Sequence, residues 1–223
     1  MKVECILRMA RLHYQVVERN NPRKASNNKL PFIRDGDAIV EDSSLIIDYI
    51  QKKYRLNFNR HLSPSQIAIS QAFQIMLEDH LYWAALYARW IDAENWPKLE
   101  QHYFSTLPPG IRQIIAYFAR KRLHREVYEH GLGRHDKATI YAFGIKDISA
   151  LAVYLDGKDY FHGDSPSSID ATVFSYTGNI LVSPFNSPMK ECLREHDNLV
   201  AYTQRMYSCY FPELSEVAFP QNG

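Results

Sequence analysis

Strand signals nearly vanish after the stretch that begins at Tyr54. Before that point short alternating apolar runs mix with helical ones. After it apolar residues recur at three- and four-residue spacing. Strand and helix periods present different faces, so this chain is expected to be α+β: a small mixed front unit, then a helical one. Its 223 residues suffice for two compact units.

The front can be read segment by segment. Val3, Ile6, Leu7 and Ala10 predict a helix over residues 2–12. His13-Tyr14-Gln15-Val16-Val17 alternates and is β-branched, which predicts a strand. Residues 18–29, ERNNPRKASNNK, are polar and predict a loop. Asp35-Gly36 between Leu30–Ile33 and Ala38–Val40 predicts a hairpin. Glu41-Asp42-Ser43 offers caps for a helix through Leu45, Ile46, Ile47, Tyr49 and Ile50. YRLNFNRHLSP then reads as a linker, which divides the chain into units at 1–55 and 63–212.

In the back half, Ser63-Pro64 opens a long helix with Ile69, Phe73, Met76, Leu77, His80 and Ala84 on one face. Tyr82, Trp83, Tyr87 and Trp90 also fall on it, and core packing is the expected role for most of them. Asp136 is placed to cap a helix with a stripe from Ile140 to Leu155. Ser167 and Asp170 have the spacing of a capping box with Asp in place of Glu, a structural role. The basic run Arg120–Arg125 is expected to be a solvated face.

Composition narrows the function classes. Lys+Arg total 26 and Asp+Glu 25, a balance that gives no pull toward nucleic acid. No apolar run approaches the roughly 20 residues of a membrane span. Nine histidines form no HExxH motif, and no Cys-x-x-Cys occurs, so no metal is expected. Three widely spaced cysteines suit a reducing cytoplasm. Cys5, inside the first helix, is expected to be a buried apolar thiol.

Two local patterns carry a resemblance. Lys29-Leu30-Pro31-Phe32-Ile33 followed by Asp42-Ser43-Ser44-Leu45 resembles the thioredoxin-like domain of glutathione transferases. Gly163-Asp164-Ser165-Pro166-Ser167-Ser168-Ile169-Asp170 resembles the signature of that superfamily's all-α domain. Leu7-Arg8-Met9-Ala10, His130–His135 and Tyr160–Asp164 are similar to the metaxin-like and failed-axon-connections branch.

The resemblance implies a thioredoxin-like domain followed by an all-α glutathione-transferase domain. It also implies a glutathione site, with Leu30 preceding a cis-proline at Pro31 and pairing with the tripeptide backbone. Ser43 would hold the γ-glutamyl carboxylate and Asp42 would face the ammonium, although either also serves as a helix cap. The family pattern begins with a strand and a loop that activates the thiol. This sequence matches it only from the middle of the first helix, so the expectation is an incomplete front domain, a native chain that starts upstream, and no assignable catalytic residue. Two functions follow: glutathione binding with conjugation to a small electrophile, or a non-catalytic interaction module. A homodimer is the family's common state. The chain ends EVAFPQNG without the apolar C-terminus that metaxins can carry, so no membrane anchor is expected.

Overall fold

A computed structural model describes residues 1–17 and 30–219. The predicted loop at 18–29 lies outside the described residues. Helix α1 (Lys2–Met9) buries Val3, Cys5 and Ile6. It stops short of residue 12 because Arg11 takes a left-handed φ of 55°. The N–H groups of Arg11 and Leu12 return to the carbonyls of Arg8 and Leu7, which satisfies the last turn as a Schellman ending.

Residues 12–17 follow without regular structure, so the predicted strand His13–Val17 is not one. A β-branched, alternating run becomes a strand only beside a neighbour that accepts its ladder bonds. Among the described residues the sheet has two strands, β1 (Phe32–Asp35) and β2 (Ala38–Glu41), paired antiparallel from Phe32↔Glu41 to Asp35↔Ala38. Neither pairs with residues 12–17, and Val16 and Val17 stand 64% and 68% exposed. The hairpin turn is where Asp35-Gly36 predicts it, with Gly36 at φ 61°. Helix α2 (Ser43–Tyr54) then buries Ile46, Ile47 and Ile50 against α1.

From Pro64 the described chain is helical apart from its connections. Ser63 and Gln66 form a capping box, with Pro64 in the first turn. The long helix runs as α3 (Pro64–Ile75), a π-helical stretch (Met76–Leu81), α4 (Tyr82–Leu86) and a second π-helical stretch (Tyr87–Ile91). After it come α5 (Trp96–Phe104), α6 (Ile111–His130), α7 (Lys137–Leu155), α8 (Ser168–Val182), α9 (Pro188–Glu195), α10 (Asp197–Tyr210) and α11 (Pro212–Ala218).

The core centres on α8, whose residues from Ile169 to Val173 are all buried, packed among α1, α3, α9 and α10. Helix α7 is long and apolar enough to cross a membrane by composition. Here Ile140, Ile148, Leu151 and Leu155 are instead fully buried, and α7 packs on α9, α10 and α4. Gly144 lets α7 approach closely, since a Cβ there would lie 2.2 Å from Met189 Sδ and 3.2 Å from Ala84 Cβ.

Asp170, at the start of α8, anchors the helical unit. Its carboxylate accepts from the N–H of Phe161 (2.7 Å) and of Ser167 (2.8 Å). It also accepts from the Ser167 hydroxyl (2.9 Å) and the fully buried Tyr202 hydroxyl (3.2 Å). The Ser167 N–H to Asp170 bond is the return half of the capping box that the spacing predicts. Burial raises the Asp170 pKa, and the donors pull against that rise.

His162 bridges α3 and α7. Ser70 Oγ donates to the Gln66 carbonyl (2.9 Å), so it accepts from His162 Nε2 (2.6 Å), and His162 Nδ1 accepts from Tyr154 Oη (3.0 Å). That arrangement needs the neutral ring. Burial, with Lys158 and His61 nearby, lowers the His162 pKa. The unfolded ring takes its proton near pH 6.5 and the folded one at lower pH. Stability contributed by the neutral ring is therefore present above about 6.5 and is lost as pH falls from there through the folded value. Urea midpoints at pH 7.5 and 5.5 should show this drop in the wild type and a smaller one in His162→Gln.

Candidate functional site

A cleft of about 2330 Å³ opens between the front unit and the long helix. Leu30, Pro31, Asp42 and Ser43 all line it, so the four predicted site residues are brought together. The Leu30–Pro31 bond is cis, as the resemblance implies. Leu30 is 51% exposed, and its backbone N–H and C=O have no partner among the described residues.

The start of α2 is built by Asp42. Its Oδ1 accepts from the Ser44 N–H at 2.8 Å and the Leu45 N–H at 3.4 Å. Asp42 therefore caps the helix, and its backbone sits at φ 71°, ψ 131°. A non-glycine residue at positive φ costs on the order of 1–3 kcal/mol and persists where surrounding structure imposes it, often at binding sites. The cap leaves the Ser43 N–H without a partner among the described residues. An open N–H at a helix N-terminus suits a carboxylate.

Two charged residues that the sequence reading did not select complete this floor. Lys2 Nζ donates to Ser43 Oγ at 3.2 Å and to Glu78 Oε1 at 2.5 Å. Gln74 Nε2 donates to Glu78 Oε2 at 3.1 Å and to Ser44 Oγ at 3.0 Å. Lys2 and Glu78 both face the cleft.

The long helix forms the opposite wall. Tyr82, Trp83 and Trp90 line the cleft; Trp83 and Tyr87 also pack against the core, as expected, with Tyr87 edge-on to Tyr141 at 6.0 Å. The π-helical stretches spread extra residues over their turns and so re-aim the side chains beyond them. Trp83 stacks on His130 at 4.6 Å, and His130 lies 3.9 Å from the Asp79 carboxylate. From the motif His130–His135, His130 lines the cleft, and Arg134 and His135 do not.

Cys5 is fully buried and burial pushes its thiol pKa far up, so it is no nucleophile at neutral pH. Among the described residues no group of three or more His, Cys, Asp or Glu side chains is placed to hold a metal.

This architecture, with a broad cleft at the start of α2, agrees with the comparisons to known proteins. The glutathione S-transferase N-terminal domain matches residues 1–95, and the glutathione S-transferase C-terminal domain matches residues 144–206. An isoprene-epoxide–glutathione S-transferase from Rhodococcus sp. (strain AD45) is 33% identical over 190 residues, covering 82% of this chain and 79% of the relative. The chain belongs to the glutathione S-transferase family.

Within that family it falls in the metaxin-like branch. Failed axon connections of Drosophila melanogaster is 29% identical over 229 residues, 97% of this chain, and the chain spans 55% of that relative's length. Human metaxin-2 is 26% identical over 216 residues, with 96% and 82% covered. Solved glutathione transferases share the fold. One from Bombyx mori has a TM-score of 0.58 at 15% identity, covering 97% of this chain and 86% of its own. Glutathione S-transferase III in apo form has a TM-score of 0.59 at 15% identity, covering 100% and 92%.

Proposed function

We propose that this chain binds glutathione in the cleft and conjugates it to a small electrophile. The observation that carries the reading is the start of α2. There the Ser43 N–H, beside the positive-φ cap Asp42, and the backbone groups of Leu30 have no partner among the described residues and share one cleft. The γ-glutamyl carboxylate would sit on Ser43, and the cysteinyl backbone would run along Leu30 like an added strand. The aromatic wall of Tyr82, Trp83 and Trp90 offers apolar surface for the electrophile. Similarity to an epoxide-conjugating transferase supports a small epoxide in that position. A cytoplasmic location belongs to the same reading, supported by three unpaired cysteines.

A second reading, a non-catalytic interaction module, is favoured by one observation. The failed-axon-connections and metaxin-2 relatives match over 97% and 96% of this chain.

Calorimetric titration with glutathione, followed by conjugation assays with an aryl halide and a small epoxide, separates the two. The transferase reading expects saturable heat and turnover. A folded protein that gives neither is left with the interaction module.

A further inference from the structure

Helix α6 carries a stripe that is left open among the described residues. Ile111, Ile114, Phe118, Lys121 and Arg125 recur at three- and four-residue spacing, the pattern of one helix face. Such a face normally packs on a core. Here Ile111, Ile114 and Phe118, with Ile115 at their side, are between 42% and 62% exposed. Lys121 and Arg125 are exposed as well. Of the 20 residues of α6 only Ala116 and Val127 are buried.

The stripe changes chemistry along its length. Its first two turns are apolar and the next is cationic. Seven residues separate Ile111 from Phe118, a rise of about 10 Å. Interfacial helices bury their apolar side chains to a depth of about 5–10 Å in a membrane surface. Tyr117 stands at the junction, its ring 6.0 Å from Lys121 Nζ, and a phenol suits the water boundary of a bilayer. Charge points the same way. Helix α6 has five Lys and Arg against two Glu, a net +3. The whole chain carries +1, so the rest of it carries −2. This helix is therefore the part that an anionic surface attracts. Arg122 and Arg125 each have a glutamate one turn on, Glu126 at 2.7 Å and Glu129 at 3.8 Å. Exposed pairs of that kind hold weakly and give way to phosphate. A second copy complements the stripe badly. Laid antiparallel, isoleucines meet cations; laid parallel, cations meet cations.

We propose that the N-terminal half of α6 docks on an anionic lipid surface. Ile111, Ile114 and Phe118 insert, and Lys121 and Arg125 rest on the phosphates. The attachment is peripheral and reversible, and glutathione binding in the cleft plays no part in it.

Cosedimentation of the full chain with vesicles tests this. One set is phosphatidylcholine alone, and the other holds about a third phosphatidylserine. Wild-type protein is expected to bind the anionic set roughly tenfold more tightly, and less so at high salt. Ile114→Asp with Phe118→Asp should abolish that binding. Lys121→Gln with Arg125→Gln should weaken it roughly tenfold. None of the four residues lines the cleft, and all four are exposed, so melting temperature should hold. Folded wild-type protein that ignores the anionic vesicles overturns the proposal and leaves the face to a protein partner. Anionic binding that survives the paired aspartates in a folded variant also overturns it. So does a wild-type dimer that ignores vesicles and that the aspartates make monomeric, which would assign the face to a second copy.

Discussion

Asp170→Ala is expected to cost about 4 kcal/mol of stability, in keeping with several buried neutral donors losing their shared acceptor. In a chain of this size that lowers the melting temperature by roughly 8–16 °C. The cause is what remains behind. The N–H groups of Phe161 and Ser167 and the Ser167 hydroxyl all point at one carboxylate, while the Tyr202 hydroxyl divides itself between that carboxylate (3.2 Å) and the residue-170 carbonyl (3.0 Å), which the substitution keeps. Without it several donors are buried with nothing to accept from them, and each lost partner costs about 1–3 kcal/mol before relaxation. Asp170→Asn keeps an acceptor and should lose about half as much. Thermal unfolding followed by circular dichroism checks both. Equal stability of Asp170→Ala and wild type would mean that water replaces the carboxylate, against the burial described.

Gly144→Val should be nearly as damaging, at about 3 kcal/mol, through overpacking. The first added carbon already falls 2.2 Å from Met189 Sδ and 3.1 Å from Met189 Cγ. Met189 is 1% exposed and has little room to retreat. Ala84 Cβ closes the other side at 3.2 Å. Gly144→Ala gives a divided outcome, because alanine gains roughly 1 kcal/mol in helix propensity while it forces α7 off α9. Denaturant midpoints for the pair, with Gly144→Val the lower, distinguish overpacking from a loss of helix. Gly144→Ala should be less costly in a Met189→Ala background than in the wild type, since the clash is with that side chain.

The parts of the site that could be read in the sequence are those made by neighbours in the chain. Leu30-Pro31 and Asp42-Ser43 are short motifs, and the structure puts both on one cleft. The Asp35-Gly36 turn and the Ser167–Asp170 bond span two to four residues and are equally local. The strand expected at His13–Val17 failed for the opposite reason. Its composition is right, but strand formation depends on a partner that alternation cannot supply. Lys2 and Glu78 are 76 residues apart, and nothing in either local sequence announces the other. Tyr82, Trp83 and Trp90 read largely as core because a 3.6-residue period does not say whether an aromatic face is buried or lines a cleft.

That period is broken twice, and the break has a mechanical meaning. Each residue in a helix turns the next by about 100°, so one residue more or fewer re-aims everything on one side relative to the other. The stretch Met76–Leu81 lies between Gln74, which serves the α2 end, and the aromatic wall beginning at Tyr82. It works as a phase shifter: Gln74 on the floor of the cleft and the aromatic wall beyond it are cut from a single rod whose halves are clocked against each other. Shortening that stretch by one residue would keep Gln74 and the aromatic residues in the chain and turn them toward different sides.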